Sequence, residues 1–150
     1  MANQYYDMVL VDLDKSLKKD VREIILSISN LNVIVFTQKM QSLNEYKELK
    51  EINKEISGPK TIPVIGKYMK QSKYNIKNIT KYLEERKEVS IIPFNMLYFE
   101  AAEEVGVTDL FLKLRNVKDT SDENYIFADN VMKLLNKITK RLQELQMKMR

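Results

Sequence analysis

Tyr5-Tyr6-Asp7-Met8-Val9-Leu10-Val11-Asp12-Leu13-Asp14-Lys15-Ser16 is the stretch on which the fold turns. Its centre, Met8–Asp12, is an unbroken apolar run ending in an acid. That is the pattern of a strand buried on both faces which brings a carboxylate to its C-terminal edge. Three further runs have the same character: Asn32–Thr37, Thr61–Gly66 and Val89–Pro93. All are rich in Val and Ile with little alternation, as parallel strands covered by helices require.

The segments between them carry helical spacing. Leu17, Val21, Ile24, Ile25 and Ile28 step by three and four, which predicts an amphipathic helix over Ser16–Ser29. Leu43, Tyr46, Leu49, Ile52 and Ile56 predict a second, closed by Gly58-Pro59. Ile76, Ile79, Tyr82 and Leu83 predict a third. This alternation implies one α/β domain over residues 1–150, with a mostly parallel sheet of about four strands, right-handed crossovers and flanking helices. Beyond Pro93 short helices are expected at Leu97–Glu104 and Thr108–Leu114, then a long C-terminal helix from Ser121 to Met147. Ser121, followed by Asp122 and Glu123, reads as its cap, and Phe127, Val131, Leu134, Leu135, Ile138, Leu142 and Leu145 form its apolar stripe. Its last turns are basic. The two readings of that end are a helix crossing the sheet into a dimer contact, and an amphipathic tail on an anionic membrane surface.

Composition removes several chemistries. With 44% hydrophobic and 31% charged residues the chain has the balance of a soluble globular protein. It contains no cysteine and no histidine. Disulfide frameworks, thiolate metal sites, and Ser-His-Asp or Cys-His catalysis within this chain are thereby excluded. The absence of cysteine suits a cytoplasmic setting. Net charge is +4, unevenly placed: Lys60–Leu83 holds six lysines and no acid, whereas Tyr98–Asp129 holds eight acids and three basic residues. Only three glycines occur, Gly58, Gly66 and Gly106, and none belongs to a G-x-x-x-x-G-K-[ST] phosphate loop.

The order of these pieces carries a resemblance. Tyr6-Asp7-Met8-Val9-Leu10-Val11-Asp12 resembles the Walker B strand of the MinD/ParA family of deviant-Walker P-loop ATPases. The continuation Leu13-Asp14-Lys15-Ser16-Leu17 lacks the family's usual prolines and is closer to its CpaE/TadZ branch. Asn32–Gln38 with Ser42-Leu43 is similar to the family strand that ends in T-x-x-x-x-S-L. Val64-Ile65-Gly66-Lys67-Tyr68 is similar to V-x-N-R-Y, and Ile91-Ile92-Pro93-Phe94-Asn95 to the I-P-x-N loop. The resemblance covers the second half of a family domain, so the phosphate loop would lie upstream of Met1. It implies ATP and Mg as ligands of an intact parent, ATP-dependent dimerisation that positions cellular machinery, and no hydrolysis by this chain alone. It also implies that the absence of the P-loop strand, normally beside the Walker B strand, leaves an unpaired sheet edge, to be covered by another chain through dimerisation or strand exchange, or removed by the sheet closing in a non-family order.

On that resemblance Asp12 becomes the magnesium-side acid, and Gly66, Lys67, Pro93 and Asn95 the adenine-side loops. Gly66 replaces the asparagine that reads the adenine edge, which removes that side chain's contribution. The residues themselves admit plainer roles. Asp12 reads equally as a strand-end acid or a helix N-cap, Asp14 as the cap of a helix beginning near Ser16, and Asn95 as a cap. Phe94, Tyr98 and Phe99 read as core. Lys67, Lys70, Lys73, Lys77 and Lys81 surround Tyr68, Tyr74 and Tyr82, the mixture of cations and rings that phosphate contact and base stacking need. Non-specific DNA binding is one expectation for them, and a solvated helix face is the other.

Overall fold

The computed structural model describes residues 8–14, 16–104 and 106–148. Three strands, β1 (Asn32–Phe36), β2 (Thr61–Tyr68) and β3 (Ser90–Pro93), form an open sheet in the order β1-β2-β3, parallel throughout. Helices α1 (Lys19–Ile28), α2 (Met40–Ile52), α3 (Lys54–Ser57) and α4 (Ile76–Tyr82) alternate with them, and α5 (Met96–Glu103), α6 (Val107–Leu114) and α7 (Glu123–Lys148) follow. The protein is thus α/β, with a small parallel sheet and a long C-terminal helix.

Strands that advance in one direction through right-handed crossovers stack their connecting helices on one face. The packing follows this rule. Phe36 and Ile65, with half-buried Ile34 and Ile91, meet Leu43 and Tyr46 of α2, Ile56 of α3 and Ile79 of α4. Leu43, Ile56, Ile65 and Ile79 are at most 1% exposed, each contributing roughly 1.5–3 kcal/mol of transfer free energy. The Tyr46 ring stacks on Phe36 at 4.4 Å, and its hydroxyl donates to Glu85 Oε2 at 2.7 Å. Lys50 Nζ lies 3.4 Å from the same oxygen, and Lys87 Nζ donates to the Ile56 carbonyl at 2.7 Å. This polar cluster fastens the loop after α4 across α2 and α3.

The opposite face carries the alternate residues. Ile62 and Val64 are buried, and Ile92 packs with Leu110 and Leu114 of α6 and Phe127 of α7. Lys137 of α7 ties this layer to β3, donating to the Glu88 carbonyl at 2.9 Å and to Ser90 Oγ at 3.3 Å. On β1 the same face is open, with Val33 37% and Val35 64% exposed.

Several expectations are corrected. Met8–Asp12 forms no strand: residues 8–14 have no regular secondary structure and pair with no strand, so the described sheet has three strands rather than four. An apolar run becomes a strand only where a neighbour takes its backbone groups, and none does here. Helix α1 starts at Lys19, and its buried residue is Leu26 rather than the stripe through Ile24 and Ile28, which stay exposed. Asp14 Oδ1 accepts from the Ser16 N–H at 2.6 Å, closing a turn ahead of the helix instead of capping it. That bond holds the Asp14 carboxyl below the ordinary aspartate value. At α7 the cap is Asp122, which accepts from the Asn124 N–H at 2.7 Å, while Ser121 donates to Asp119.

Candidate functional site

Parallel strands deliver their exits to one side, and open α/β sheets place ligands outside those carboxyl ends. Here that edge is formed by Thr37 and Gln38 after β1, Gly66–Met69 at the end of β2, and Phe94 and Asn95 after β3.

Gln38 organises the first two exits. Its side chain is buried, donates to the carbonyls of Met69 at 3.2 Å and Tyr74 at 2.7 Å, and accepts from the Met69 N–H at 2.7 Å. One amide therefore satisfies three groups of a loop lacking regular pairing. Beside it the Ser42 hydroxyl accepts from the Thr37 N–H at 3.0 Å, which explains the Thr37-to-Ser42 spacing in physical terms.

The end of β2 is bulged. Its register with β3 runs from Ile65 opposite Ile91 to Tyr68 opposite Pro93, so Gly66 and Lys67 together face one residue, Ile92. Such a bulge re-aims the chain, and Lys67 adopts φ 53°, a left-handed conformation costly for a residue with a Cβ. Lys67 is exposed at this edge. Gly66 is set by packing: a Cβ there would come 3.1 Å from Val35 Cγ1. After β3, the Phe94 N–H donates to the Tyr68 carbonyl at 2.9 Å. Asn95 is 4% exposed; its oxygen caps α5 by accepting from the Tyr98 N–H at 2.8 Å, and its Nδ2 donates to Asn124 Oδ1 at 2.8 Å.

Gly66, Lys67, Pro93 and Asn95 therefore lie at one edge of the sheet. Of these, Lys67 alone presents an exposed polar side chain. Asp12 is exposed within the unpaired segment. No group of three or more acids able to hold a metal occurs among the described residues. A magnesium nucleotide needs a cradle of N–H donors and a lysine for its phosphates, and this donor set does not supply one.

Lys70, Lys73, Lys77 and Lys81 are all exposed. Lys73 Nζ lies 5.1 Å over the Tyr74 ring, and Lys47 Nζ 5.4 Å over the Tyr82 ring. Between α2 and α4 a cleft of about 340 Å³ is lined by Met40, Leu43, Tyr74, Ile79 and Tyr82. Tyr98 packs against Phe111 and Phe127 but stays 39% exposed, and Phe94 and Phe99 are 38% and 46% exposed, so none of the three is the buried core residue expected.

Sequence reasoning passed over two features of the edge, Gln38 and the bulge. A glycine inside an otherwise apolar strand is a bulge signal. Gln38 offers no signal, because its partners lie more than thirty residues away. Among the described residues no helix is long and apolar enough to cross a membrane. Comparison with known proteins finds no match: no family model, no curated protein and no solved structure matches the chain.

Proposed function

We propose that this chain is the C-terminal portion of a MinD/ParA-like ATPase, nearest the CpaE/TadZ branch. Such a protein acts in the cytoplasm to position machinery such as a pilus, plasmid or chromosome, and these residues alone do not hydrolyse ATP. The observation that carries the reading is the unfinished flank beside β1. Val33 and Val35 stand exposed there, Ile24 and Ile28 of α1 are 60% and 74% exposed, and Met8–Val11 are all about half exposed or more. A β-α-β-α-β sheet that lacks the strand meant to adjoin its first member presents such a surface. On this reading another chain, in a homo-oligomer or a partner, covers that edge. The carboxyl edge agrees in order with the family loops, and Asp12 would serve magnesium only once phosphate groups are supplied by another segment.

A second reading, a non-catalytic scaffold derived from that fold, is favoured by one specific observation. Asn95 is spent on α5 and Asn124, and Gly66 has no side chain, so neither position offers a group to read a base. The lysines of the α4 region would then contact DNA without sequence preference, through phosphates.

Titration of ¹⁵N-labelled protein with millimolar MgATP tests the inactivity of these residues alone: no saturable amide shifts and no phosphate release are expected, and tight binding or measurable turnover sinks that claim. The coding region upstream of Met1 separates the two readings. A phosphate loop encoded there in frame supports the ATPase portion, and a native start at Met1 supports the scaffold. DNA retention that falls steeply with salt supports the lysine contact, and no retention at low salt removes it.

A further inference from the structure

Helix α5 opens with four large apolar residues in succession, Met96, Leu97, Tyr98 and Phe99, yet it buries none of its side chains. Each of the other six helices among the described residues buries at least one. Only the inner side of α5 is engaged. Ala101 joins the core of Leu110, Leu114 and Phe127, and Tyr98 lies against Phe111 and Phe127. On the outer side Met96, Phe99, Glu100 and Glu103 step by three, one and three, so they share one helix face. Met96 is 55% exposed and Phe99 46%, with Leu97 and Phe94 exposed beside them. A helix held on one side that turns its largest apolar residues outward leaves a contiguous ridge, and such surfaces mark the place where a partner lands.

Charge selects the partner. Glu100 and Glu103 lie on the ridge and Glu104 ends the helix beside them; all three are exposed, and among the described residues no ion pair engages them. The acids of Tyr98–Asp129 outnumber the bases by eight to three. A phosphate surface, of nucleic acid or anionic lipid, is repelled by such a field, whereas a cationic partner is steered to it. We propose that α5 is the docking ridge for a basic amphipathic helix of another protein. That helix lays an apolar stripe spaced by three and four along Met96 and Phe99 and sets its flanking Lys or Arg against Glu100, Glu103 and Glu104. Desolvation of the ridge supplies the attraction, and the charges fix orientation and partner choice. The ridge contains none of Asp12, Gly66, Lys67 and Asn95, so the inference goes beyond the proposed function and holds under either of its readings.

The test titrates the ¹⁵N-labelled 150-residue chain with a fluorescein-labelled Leu/Lys peptide whose leucines recur at helical spacing. Two controls accompany it, the same composition scrambled and a Leu/Glu peptide with the same stripe. The Leu/Lys peptide should bind saturably, at least about tenfold tighter than either control, with amide shifts centred on residues 94–104. Glu100→Lys/Glu103→Lys should reverse the preference in favour of the Leu/Glu peptide. Phe99→Ser should weaken the Leu/Lys peptide by about tenfold. All three substituted positions are exposed, circular dichroism checks that each variant is folded, and the comparison of peptides on the unaltered chain needs no variant. Absence of saturable binding, equal binding of the three peptides, or shifts that fall outside α5 and its flanks each overturn the proposal. So does a concentration-dependent shift of α5 without peptide, which assigns the ridge to a second copy. Retention on phosphatidylglycerol vesicles that Phe99→Ser abolishes is equally fatal, and assigns the ridge to a membrane.

Discussion

Toward α2, α3 and α4 the sheet presents Phe36 and Ile65 to side chains that exclude water almost completely. On its other side the same β1 strand turns Val33 and Val35 outward, 37% and 64% exposed. The two faces differ because of how each is covered. The first is closed by the crossovers themselves, which the chain must make in order to run parallel strands side by side. The second is closed where α6 and α7 reach β3, and it is open at β1. Local connectivity completes one layer, and the other depends on a distant helix and on whatever lies beside β1.

The largest expected contrast comes from one substitution on each face. Ile65→Ala should cost about 2–5 kcal/mol in denaturant unfolding, whereas Val35→Thr should stay within about 0.5 kcal/mol. Equal costs would mean that the second face is closed in solution, and the comparison would break. Asn95→Ala should cost about 1–2 kcal/mol, because it removes a cap and leaves Asn124 without its partner. An unchanged unfolding midpoint would return Asn95 to the list of residues held for a ligand. Gly66→Ala should change stability by less than about 1 kcal/mol, because the 3.1 Å approach to the exposed Val35 side chain offsets the entropy gained by removing a glycine. In a Val35→Ala background the same substitution should become stabilising by about 0.4–1 kcal/mol, and a double-mutant cycle reads the coupling.

The smallest effect is pH-dependent and belongs to the closed face. Burial acts to raise the Glu85 carboxyl. The hydrogen bonds from the Tyr46 hydroxyl and the Lys87 N–H, with the Lys50 and Lys87 ammoniums, outweigh it and hold the group below its ordinary value of 4.5. A carboxyl depressed in the folded state contributes stability that is complete above its unfolded value and is lost as pH falls through the folded one. Wild type should therefore lose its advantage over Glu85→Gln as pH drops below 4.5. A constant difference from pH 7 to pH 3 would show that the ionised Glu85 carboxylate adds nothing over a neutral amide in this cluster. Lys87 has the opposite sign: burial lowers its ammonium, against the pull of Glu85, so that charge is carried at a cost.

Legibility followed the range of the interactions. The strands at Asn32, Thr61 and Val89 and the helices around them were readable from Val and Ile runs and from three-four spacing, since both report local geometry. The candidate edge was readable as a set of strand exits, because parallel order alone brings Thr37, Lys67 and Asn95 to one side. The failures involve partners remote in the chain. Met8–Val11 has the composition of a buried strand but pairs with no strand, and the α1 stripe has the spacing of a packed face but nothing to pack on. Gln38 reads as an unremarkable polar residue until Met69 and Tyr74 fold beneath it.

By itself, then, the sequence determined the α/β class, the parallel character of the sheet with its flanking helices, the long last helix, the exclusion of histidine and cysteine chemistry, and the separation of a basic from an acidic region. Those follow from backbone geometry and from which atoms are present. Only the tertiary structure decided which face of α1 is buried, that Gly66 and Lys67 form a bulge, that Asn95 is spent on α5 and α7, and that the Met8–Asp12 run stands apart from the sheet. Each of these depends on a neighbour that sequence spacing does not specify, and a buried strand exists only where such a neighbour completes it.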